Sequence, residues 1–254
     1  MSDLKAAAKL AISCLDLTNL NDDCTEEDVR ELCARARTPH GNTAAVCLWP
    51  RFVPVAKEAL AGSGIRIATV VNFPGGMDEV DDVLDLTEQA VRDGADEIDM
   101  VIPYPKLIEG HAGDVSSLVR RIRKAGDGAL VKSILETGML ANADTVRAAC
   151  KAALDGGAHF LKTSTGKVPV NATPTSARLL LEAIRDNGDP SIGFKPAGGV
   201  KTTEDARDYI NLANEIMGDG WATPQTFRLG ASGVLTALLA TLNDADAPNA
   251  AEGY

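Results

Sequence analysis

The chain has 254 residues, of which 45% are hydrophobic and 24% are charged, and its formal net charge is −11. This length allows a large core within one domain. The acidic balance argues against a nucleic-acid partner or an anionic membrane surface, because both need a basic stripe on the protein.

Eight short apolar or β-branched runs alternate with helix-length, charge-patterned segments. The runs cover residues 11–18, 44–50, 65–73, 96–102, 129–136, 159–165, 191–197 and 227–232. Helices are predicted at 25–37, at 78–94 with Gly94 as C-cap, and at 173–188, with Thr173 as N-cap, Pro174 in the first turn and Gly188 at the end. The βαβ spacing indicates parallel pairing, and eight repeats predict a single (β/α)₈ TIM barrel of the α/β class.

The alternative architecture is a doubly wound open sheet, because alternation alone does not say whether a sheet closes. No GxGxxG follows the first strand, so the dinucleotide-binding version of that fold loses its main support. We place the barrel domain at residues 1–242. The small, polar segment 243–254 is expected to be a flexible C-terminal tail.

Cysteine usage and hydropathy predict the compartment. No apolar run reaches the roughly 18 residues of a membrane span, and the N-terminal segment shows no signal-peptide core. The five cysteines are odd in number and form no CxxC pair, which argues against a disulfide framework or a structural zinc site. We therefore expect a soluble, cytoplasmic protein.

Two lysines and an aspartate in apolar strands are the first candidates for function. Alternation along HFLKTST, GFKPA and EIDMV lets Lys162, Lys195 and Asp99 share one cavity if those faces point inward. A lone strand lysine most often belongs to a structural salt bridge, but this combination favours amine chemistry. A lysine attacks a carbonyl only as the free amine, so its pKa must fall from ~10.4 in an apolar pocket beside another cation. A carboxylate is then placed to relay protons.

Glycines follow each of the last three predicted strands, in TGK (165–167), AGGVK (197–201) and LGASG (229–233). One isolated pair of glycines is more often a turn than a ligand site. Barrels frequently bind phosphate in the loops after their last strands. Three such loops in succession, two of them with lysines, predict a phosphate site on an otherwise acidic protein.

Five motifs together resemble the 2-deoxyribose-5-phosphate aldolase family from about residue 10 to residue 254: HFLKTSTGKV, GFKPAGGVKTTEDA, DLTNLNDDCTEEDV, GNTAAVCLWPRFV and ADEIDMVIPY. The resemblance implies a class I aldolase that reversibly cleaves 2-deoxy-D-ribose 5-phosphate to D-glyceraldehyde 3-phosphate and acetaldehyde in deoxyribonucleoside catabolism. It implies a lysine Schiff base, no cofactor and no metal. The expected partners are a small phosphorylated sugar and short aldehydes, and a homodimer is compatible with the family.

The resemblance also assigns residues by motif. It makes Lys162 the Schiff-base lysine, Lys195 the lysine that perturbs it and Asp99 the proton-relay acid. Phosphate binding falls to Gly166, Lys167, Gly198, Gly199, Gly230 and Ser232. The residues placed near the sugar or the reacting carbon are Asp16, Cys47, Thr165 and the C-terminal Tyr254. The chain departs from the usual family pattern at Val71, where VNFP replaces TNFP, and at Gly233, where GASG replaces GASS.

Three other interpretations remain open. A metal-dependent aldolase would need a ligand cluster, but His40, His111 and His159 are widely separated in the sequence and form no HxH or HExxH motif. An imine-forming enzyme of the transaldolase or keto-acid aldolase type would share the lysine but not the GFKPAGG motif. A phosphometabolite-binding protein without enzymatic activity would keep the glycine loops and would have no need for a free amine.

Overall fold

The structure is a computed structural model that describes residues 3–245. Its first elements are, in chain order, α1 (Asp3–Ser13), β1 (Leu15–Asn19), α2 (Glu26–Arg35), β2 (Arg37–Thr38), β3 (Gly41–Asn42), β4 (Ala45–Leu48), α3 (Val53–Ala59), β5 (Arg66–Val71), α4 (Val80–Asp93) and β6 (Glu97–Val101). The elements that follow are α5 (Tyr104–Ile108), α6 (Ala112–Ala125), β7 (Leu130–Ile134), α7 (Ala143–Asp155), β8 (Phe160–Lys162), α8 (Pro174–Asn187), β9 (Gly193–Lys195), α9 (Thr203–Met217), β10 (Leu229–Ala231) and α10 (Val234–Leu242).

Eight strands form one parallel sheet in the order β10, β1, β4, β5, β6, β7, β8, β9. The sheet closes on itself because parallel bridges join Phe194 to Phe227 and Ala197 to Gly230. The Gly230 N–H also donates to the Pro196 carbonyl oxygen at 2.9 Å. The prediction of a single (β/α)₈ barrel is confirmed, and the open-sheet alternative is wrong.

The barrel wall separates two apolar clusters. The larger cluster fills the space between the strands and the surrounding helices, and it includes Leu17 and Val46. The smaller cluster comprises Leu20, Ala45, Cys47, Ala68 and Val70, with strand residues that alternate with those of the larger cluster. Because successive side chains of a strand point to opposite faces, this second set faces the barrel interior. The rest of that interior is strongly polar.

Helix ends follow the signals that the sequence carries. The Thr173 hydroxyl accepts a hydrogen bond from the Ser176 N–H and caps α8. Gly94 and Gly188 end α4 and α8 in the left-handed conformation, with φ of 116° and 81°, which glycine adopts without a steric penalty. The predicted caps are therefore confirmed.

The prediction that the first strand starts at residue 11 was wrong. Residues 11–13 belong to α1 rather than to a strand, and β1 begins only at Leu15. Ala8, Ala11 and Ile12 recur at helical spacing and are buried, and α1 packs against α9 and α10. The helical period therefore prevails over the local β-branched composition. The predicted helix 25–37 also ends early, at Arg35, because the next residues enter the hairpin of β2 and β3.

The predicted boundary at residue 242 coincides with the end of α10. Residues 246–254 of the predicted tail lie outside the described part of the chain, so the division into barrel and tail stays a prediction. Between residues 3 and 245, no helix has both the length and the apolar character that a membrane crossing requires.

Candidate active site

Lys162 and Lys195 converge on one carboxylate inside the barrel. The Lys162 Nζ atom lies 2.8 Å from Asp99 Oδ2, and the Lys195 Nζ atom lies 2.7 Å from the same oxygen. Lys162 ends β8 and pairs in register with Lys195, which ends β9. All three residues are at most 1% exposed. The structure thus brings together the three residues for which strand alternation predicted a shared cavity.

A third lysine occupies the other oxygen of Asp99. The Lys132 Nζ atom lies 2.7 Å from Asp99 Oδ1 and 2.5 Å from Glu97 Oε2. Sequence reasoning gave neither Lys132 nor Glu97 a role. Lys132 interrupts the apolar run ALVKSILE as Lys162 interrupts HFLKTST, and Glu97 shares the inward face of β6 with Asp99. The same alternation signal could therefore have found both residues.

Arg228 and Asp16 complete the charged cluster. Arg228 donates from Nη2 to Glu97 Oε1 at 2.8 Å and from Nη1 to Asp16 Oδ1 at 2.7 Å. The other oxygen of Asp16 accepts from the Lys195 Nζ at 2.5 Å. Asp16 was predicted near the sugar, and the structure makes it a link between Lys195 and Arg228. No sequence signal beyond its two apolar neighbours singles out Arg228.

Electrostatics keep most of these groups ionised. Burial by itself would raise the pKa of the Asp99 carboxyl, but Lys132, Lys162 and Lys195 hold that pKa well below its ordinary value. Burial likewise lowers the pKa of the Lys195 ammonium, but Asp16 and Asp99 outweigh burial and raise it above the usual value. Lys195 is therefore a fixed cation and Asp99 a fixed anion at neutral pH.

Two glycines make room for the cluster within the barrel. A Cβ atom on Gly193 would collide with the ring of Phe160, and a Cβ atom on Gly230 would lie 3.0 Å from Lys195 Cε. The Phe160 ring in turn lies 5.8 Å from the Arg228 guanidinium, within the range of a cation–π contact. At these positions a side chain would displace the buried charges.

Five of the six residues assigned to phosphate lie in the loops that leave β8, β9 and β10, and Gly230 lies within β10 itself. Gly166, Gly198 and Gly199 have left-handed φ values of 85°, 75° and 84°. The Gly198 N–H donates to the Gly230 carbonyl at 3.2 Å. The Gly230 N–H donates to the Pro196 carbonyl, so the N–H groups of Gly198 and Gly230 both join the residues after β9 to β10 and close the barrel. The Lys167 Nζ lies 3.4 Å from Asp22 Oδ1, and Ser232 lies between β10 and α10. Phosphate binding at these residues stays a prediction.

Cys47 and Thr165 lie close to the charged cluster. The Cys47 thiol is fully buried in the barrel interior, and burial, followed by the charge of Asp99, raises its pKa. Thr165 donates through its hydroxyl to the carboxylate of Glu136, a residue that sequence reasoning did not single out. Tyr254 lies outside the described residues.

The departures at Val71 and Gly233 lie at the edges of the site. Val71 ends β5 and is buried in the larger cluster, between the barrel and the helices. Its side chain therefore faces away from the charged interior. Gly233 is the residue before α10, and a Cβ atom there would meet nothing within 4 Å. A serine would fit at that position without steric conflict.

The histidines serve structural contacts or lie apart. The Val131 N–H donates to His159 Nδ1 at 2.9 Å, so this ring ties the start of β8 to β7 through its neutral nitrogen. Within residues 3–245, no group of three or more His, Cys, Asp or Glu side chains is arranged to hold a metal ion.

Comparisons with known proteins agree on a family. The family model described as DeoC/LacD family aldolase matches residues 10–240. The fold is similar to that of a protein from Toxoplasma gondii ME49 provisionally named deoxyribose-phosphate aldolase, with a TM-score of 0.87 and 25% identity over 95% of this chain and 96% of that one. A provisionally named deoxyribose-phosphate aldolase from Coccidioides immitis gives a TM-score of 0.81 and 30% identity over 92% of this chain and 86% of that one.

A third solved structure has a similar fold at a lower sequence identity. The tetrameric deoxyribose phosphate aldolase from Aeropyrum pernix has a TM-score of 0.77 at 24% identity, with 94% of this chain and 97% of that one covered. At that identity the likeness concerns the fold alone. The family match covers nearly the whole barrel, including both lysine-bearing strands and the loops that follow them, and this chain therefore belongs to the DeoC/LacD family of aldolases.

Proposed function

We propose that this protein is a class I deoxyribose-phosphate aldolase. It would cleave 2-deoxy-D-ribose 5-phosphate reversibly to D-glyceraldehyde 3-phosphate and acetaldehyde through a Schiff base on Lys162, in the catabolism of deoxyribonucleosides in the cytoplasm. The observation that carries the proposal is the sharing of Asp99 Oδ2 by Lys162 and Lys195, at 2.8 and 2.7 Å within a buried site. Imine chemistry needs a lysine amine beside a fixed cation and a proton carrier.

Contacts with carboxylates distinguish Lys162 from the other lysines of the cluster. Four buried cations, Lys132, Lys162, Lys195 and Arg228, face three buried carboxylates, and the exposed Arg66 adds a contact of 3.8 Å to Glu97, so positive charge is in excess. Lys162 contacts one carboxylate, whereas Lys195 contacts two and Lys132 three. Lys162 and Lys195 each end their strand, next to the loops where substrates of TIM-barrel enzymes bind, whereas Lys132 lies in the middle of β7.

The proposed cleavage proceeds through an imine on Lys162. The Lys162 amine adds to the C1 aldehyde of the open-chain sugar, and loss of water gives an iminium ion. Transfer of the C3 hydroxyl proton to the Asp99 carboxylate breaks the C2–C3 bond, releases glyceraldehyde 3-phosphate and leaves an enamine on Lys162. Protonation of the enamine carbon and hydrolysis then release acetaldehyde. The iminium nitrogen supplies the electron sink for these steps, so the proposed reaction uses no metal ion or cofactor.

Asp99 is the proposed proton carrier, and Lys195 is the fixed cation beside it. Asp99 Oδ2 is already within hydrogen-bond distance of both lysine nitrogens, as general acid–base catalysis requires. Lys195 keeps its charge, so it disfavours a second cation beside it and can hold the hydroxyl of the carbinolamine. We assign the phosphate of the sugar to the loops after β8, β9 and β10, and proton exchange at the enamine carbon to the hydroxyl of Tyr254.

Trapping of the Schiff base tests the proposal directly. Incubation with acetaldehyde and borohydride, followed by peptide mass mapping, should attach one two-carbon group to Lys162. Lys162→Ala should lose both the adduct and retro-aldol activity while it stays folded. The exposed Lys151, which pairs with Asp155 on α7, provides the control, and Lys151→Ala should behave as the parent does. An adduct on Lys195 or Lys132 would reverse the assigned roles, and no adduct would leave a phosphometabolite-binding protein as the better interpretation.

A further inference from the structure

Glu136 is a buried carboxylate that the proposed chemistry does not use. It lies just beyond β7, is 0% exposed, and has φ of 52° and ψ of 56°. Residues other than glycine rarely adopt this left-handed conformation, which costs on the order of 1 kcal/mol and persists where the surrounding structure holds it. Such residues cluster at functional sites, so the contacts of Glu136 are informative.

The conformation of Glu136 creates a bulge between β7 and β8. The Leu135 N–H donates to the Lys162 carbonyl and the Thr137 N–H donates to the Thr163 carbonyl, both at 2.9 Å. A regular parallel ladder advances by two residues on each strand, so the second bond would have reached Ser164. Glu136 is therefore one extra residue on the β7 side, just beyond the ends of the two strands. Bulges beside active sites re-aim a side chain, and here the re-aimed side chain is a carboxylate.

The Glu136 carboxylate holds the turn within the KTSTGK motif, just after β8. It accepts a hydrogen bond from the Thr165 hydroxyl, and its two oxygens lie 3.3 and 3.4 Å from the Thr165 N–H nitrogen. The Thr165 hydroxyl oxygen in turn accepts from the Lys167 N–H at 3.0 Å. A chain of hydrogen bonds thus runs from Glu136 through Thr165 to the backbone of Lys167.

A second contact joins the same two loops. A Cβ atom on Gly138 would collide with the carbonyl oxygen of Val170, so the backbones of the two loops touch at that point. The segment from Glu136 to Gly138 therefore supports the segment from Thr165 to Val170 at both of its ends. Both oxygens of the carboxylate are directed at Thr165, and burial raises the pKa of the Glu136 carboxyl.

We propose that Glu136 is a positioning residue that fixes the Thr165–Lys167 turn for the phosphate group of the substrate. This inference rests on the proposed function, because it takes the loop after β8 as part of the phosphate site. Glu136 acts through Thr165 and does not touch the reacting carbon. Loss of the Glu136 carboxylate should therefore weaken the binding of a phosphorylated sugar. The imine chemistry at Lys162, three residues before Thr165, should continue.

Steady-state kinetics with two sugars measure this split. For Glu136→Ala we expect the KM for 2-deoxyribose 5-phosphate to rise about tenfold, the equivalent of one lost charge-assisted hydrogen bond. The kcat, and the kcat/KM for unphosphorylated 2-deoxyribose, should change by less than about threefold. Thr165→Val should raise the KM for 2-deoxyribose 5-phosphate by a similar factor, and the double variant should raise it no further than either single variant, because the two side chains act as one unit.

Conservative variants separate positioning from loss of folding. Glu136→Gln keeps an acceptor oxygen, and Thr165→Ser keeps the hydroxyl, so both should stay within about threefold of the parent KM. The Thr165 variants carry the test if Glu136→Ala does not fold. Glu109, an exposed glutamate after α5, is the matched control, and Glu109→Ala should leave both sugars unaffected. The proposal would be overturned if Glu136→Ala lowered kcat/KM equally for both sugars. It would also be overturned if the KM for 2-deoxyribose 5-phosphate were unchanged in both Glu136→Ala and Thr165→Val.

Hydrogen exchange distinguishes failure of this inference from failure of the proposed function. In Glu136→Ala the amide of Thr165 loses its acceptor, and in Thr165→Val the amide of Lys167 loses its acceptor. Mass spectrometry of a peptide covering 163–170 should therefore show exchange at least about tenfold faster in each variant. If the parent does not cleave 2-deoxyribose 5-phosphate, the proposed function fails, whatever the exchange rates are. Unchanged exchange in both variants would overturn the positioning role of Glu136 even in an active aldolase.

Discussion

Lys162 and Asp99 lie 63 positions apart in the sequence, yet the Lys162 Nζ atom is 2.8 Å from Asp99 Oδ2. They lie on β8 and β6, and β7 between them contributes Lys132 to the other oxygen of the same carboxylate. Asp99 therefore holds three lysines at once. Because the carboxylate is shared, a change at any one of these lysines alters the charge that the other two experience.

Lys195→Leu should change the pH dependence of imine formation. Removal of the fixed cation beside Lys162 lowers the electrostatic cost of a positive charge at that site, so imine formation should require a higher pH. We expect this shift in the rate of adduct formation with acetaldehyde, measured from pH 5 to pH 10. Lys151→Leu, on the exposed face of α7, should leave the profile in place. An unchanged profile in Lys195→Leu would leave burial as the only influence on the amine.

Asp99→Asn should separate proton transfer from substrate binding. The amide keeps the shape of the carboxylate but cannot accept a proton at neutral pH, and it leaves Lys132, Lys162 and Lys195 with one negative charge fewer. We expect kcat to fall by about 100-fold or more, with less than about threefold change in the inhibition constant of inorganic phosphate. Intact turnover in Asp99→Asn would remove this residue from the mechanism.

Arg228→Met should destabilise the fold through the charges that it leaves behind. Arg228 contacts Glu97 and Asp16 inside the barrel at 2.7 to 3.0 Å, and removal of one partner from a buried ionic group costs about 3–5 kcal/mol. Urea denaturation should show a loss of this order in the free energy of unfolding. Arg178, on the surface in a pair with Glu215, gives the matched control, and Arg178→Met should leave stability nearly unchanged. Similar stability of the two variants would contradict the buried-network interpretation.

The stability of the protein should decline at both extremes of pH. The pKa values of Asp16 and Asp99 are held below their ordinary range, so their contribution is present above the unfolded-state pKa of ~3.9 and is lost as the pH falls further. The pKa values of Lys132 and Lys195 are raised, so their contribution is present below ~10.4 and is lost as the pH rises through the folded-state values. Urea unfolding between pH 3 and pH 11 measures both declines, and a curve that stays flat below pH 4 would contradict the carboxylate assignment.

Cys47→Met should prolong activity in concentrated aldehyde. A thiolate adds to the α,β-unsaturated aldehyde that forms when an aldol product loses water, and Cys47 faces the same interior as the lysines. Because burial raises the pKa of this thiol, inactivation of the parent should be slow and should accelerate with rising pH. Residual activity after prolonged exposure at two pH values measures the difference. Cys150→Ala, on α7 outside the barrel, should decay as the parent does, and equal decay of Cys47→Met would clear this residue.

Residues with their own local signals could be found from the sequence. The caps Thr173, Gly94 and Gly188 end helices where their side chains or backbone freedom predict it. The period of two in EIDMV, HFLKTST and GFKPA was enough to place Asp99, Lys162 and Lys195 on inward faces, because that period depends only on the pleat of the strand. The eight strands of the barrel followed from the same local patterns, whereas the hairpin of β2 and β3 was not predicted.

Tertiary structure decided which inward residues meet at the same height, since register between strands depends on contacts across the whole barrel. It paired Asp99 with Lys132 in register and brought Arg228 to Glu97, 131 positions away. It also inserted the bulge at Glu136, because an extra residue shows only against the partner strand. The sequence by itself determined the barrel class and the three central residues through local periodicity. The charge balance of the cluster and the support of the Thr165 turn arose only from strand register, which no local pattern encodes.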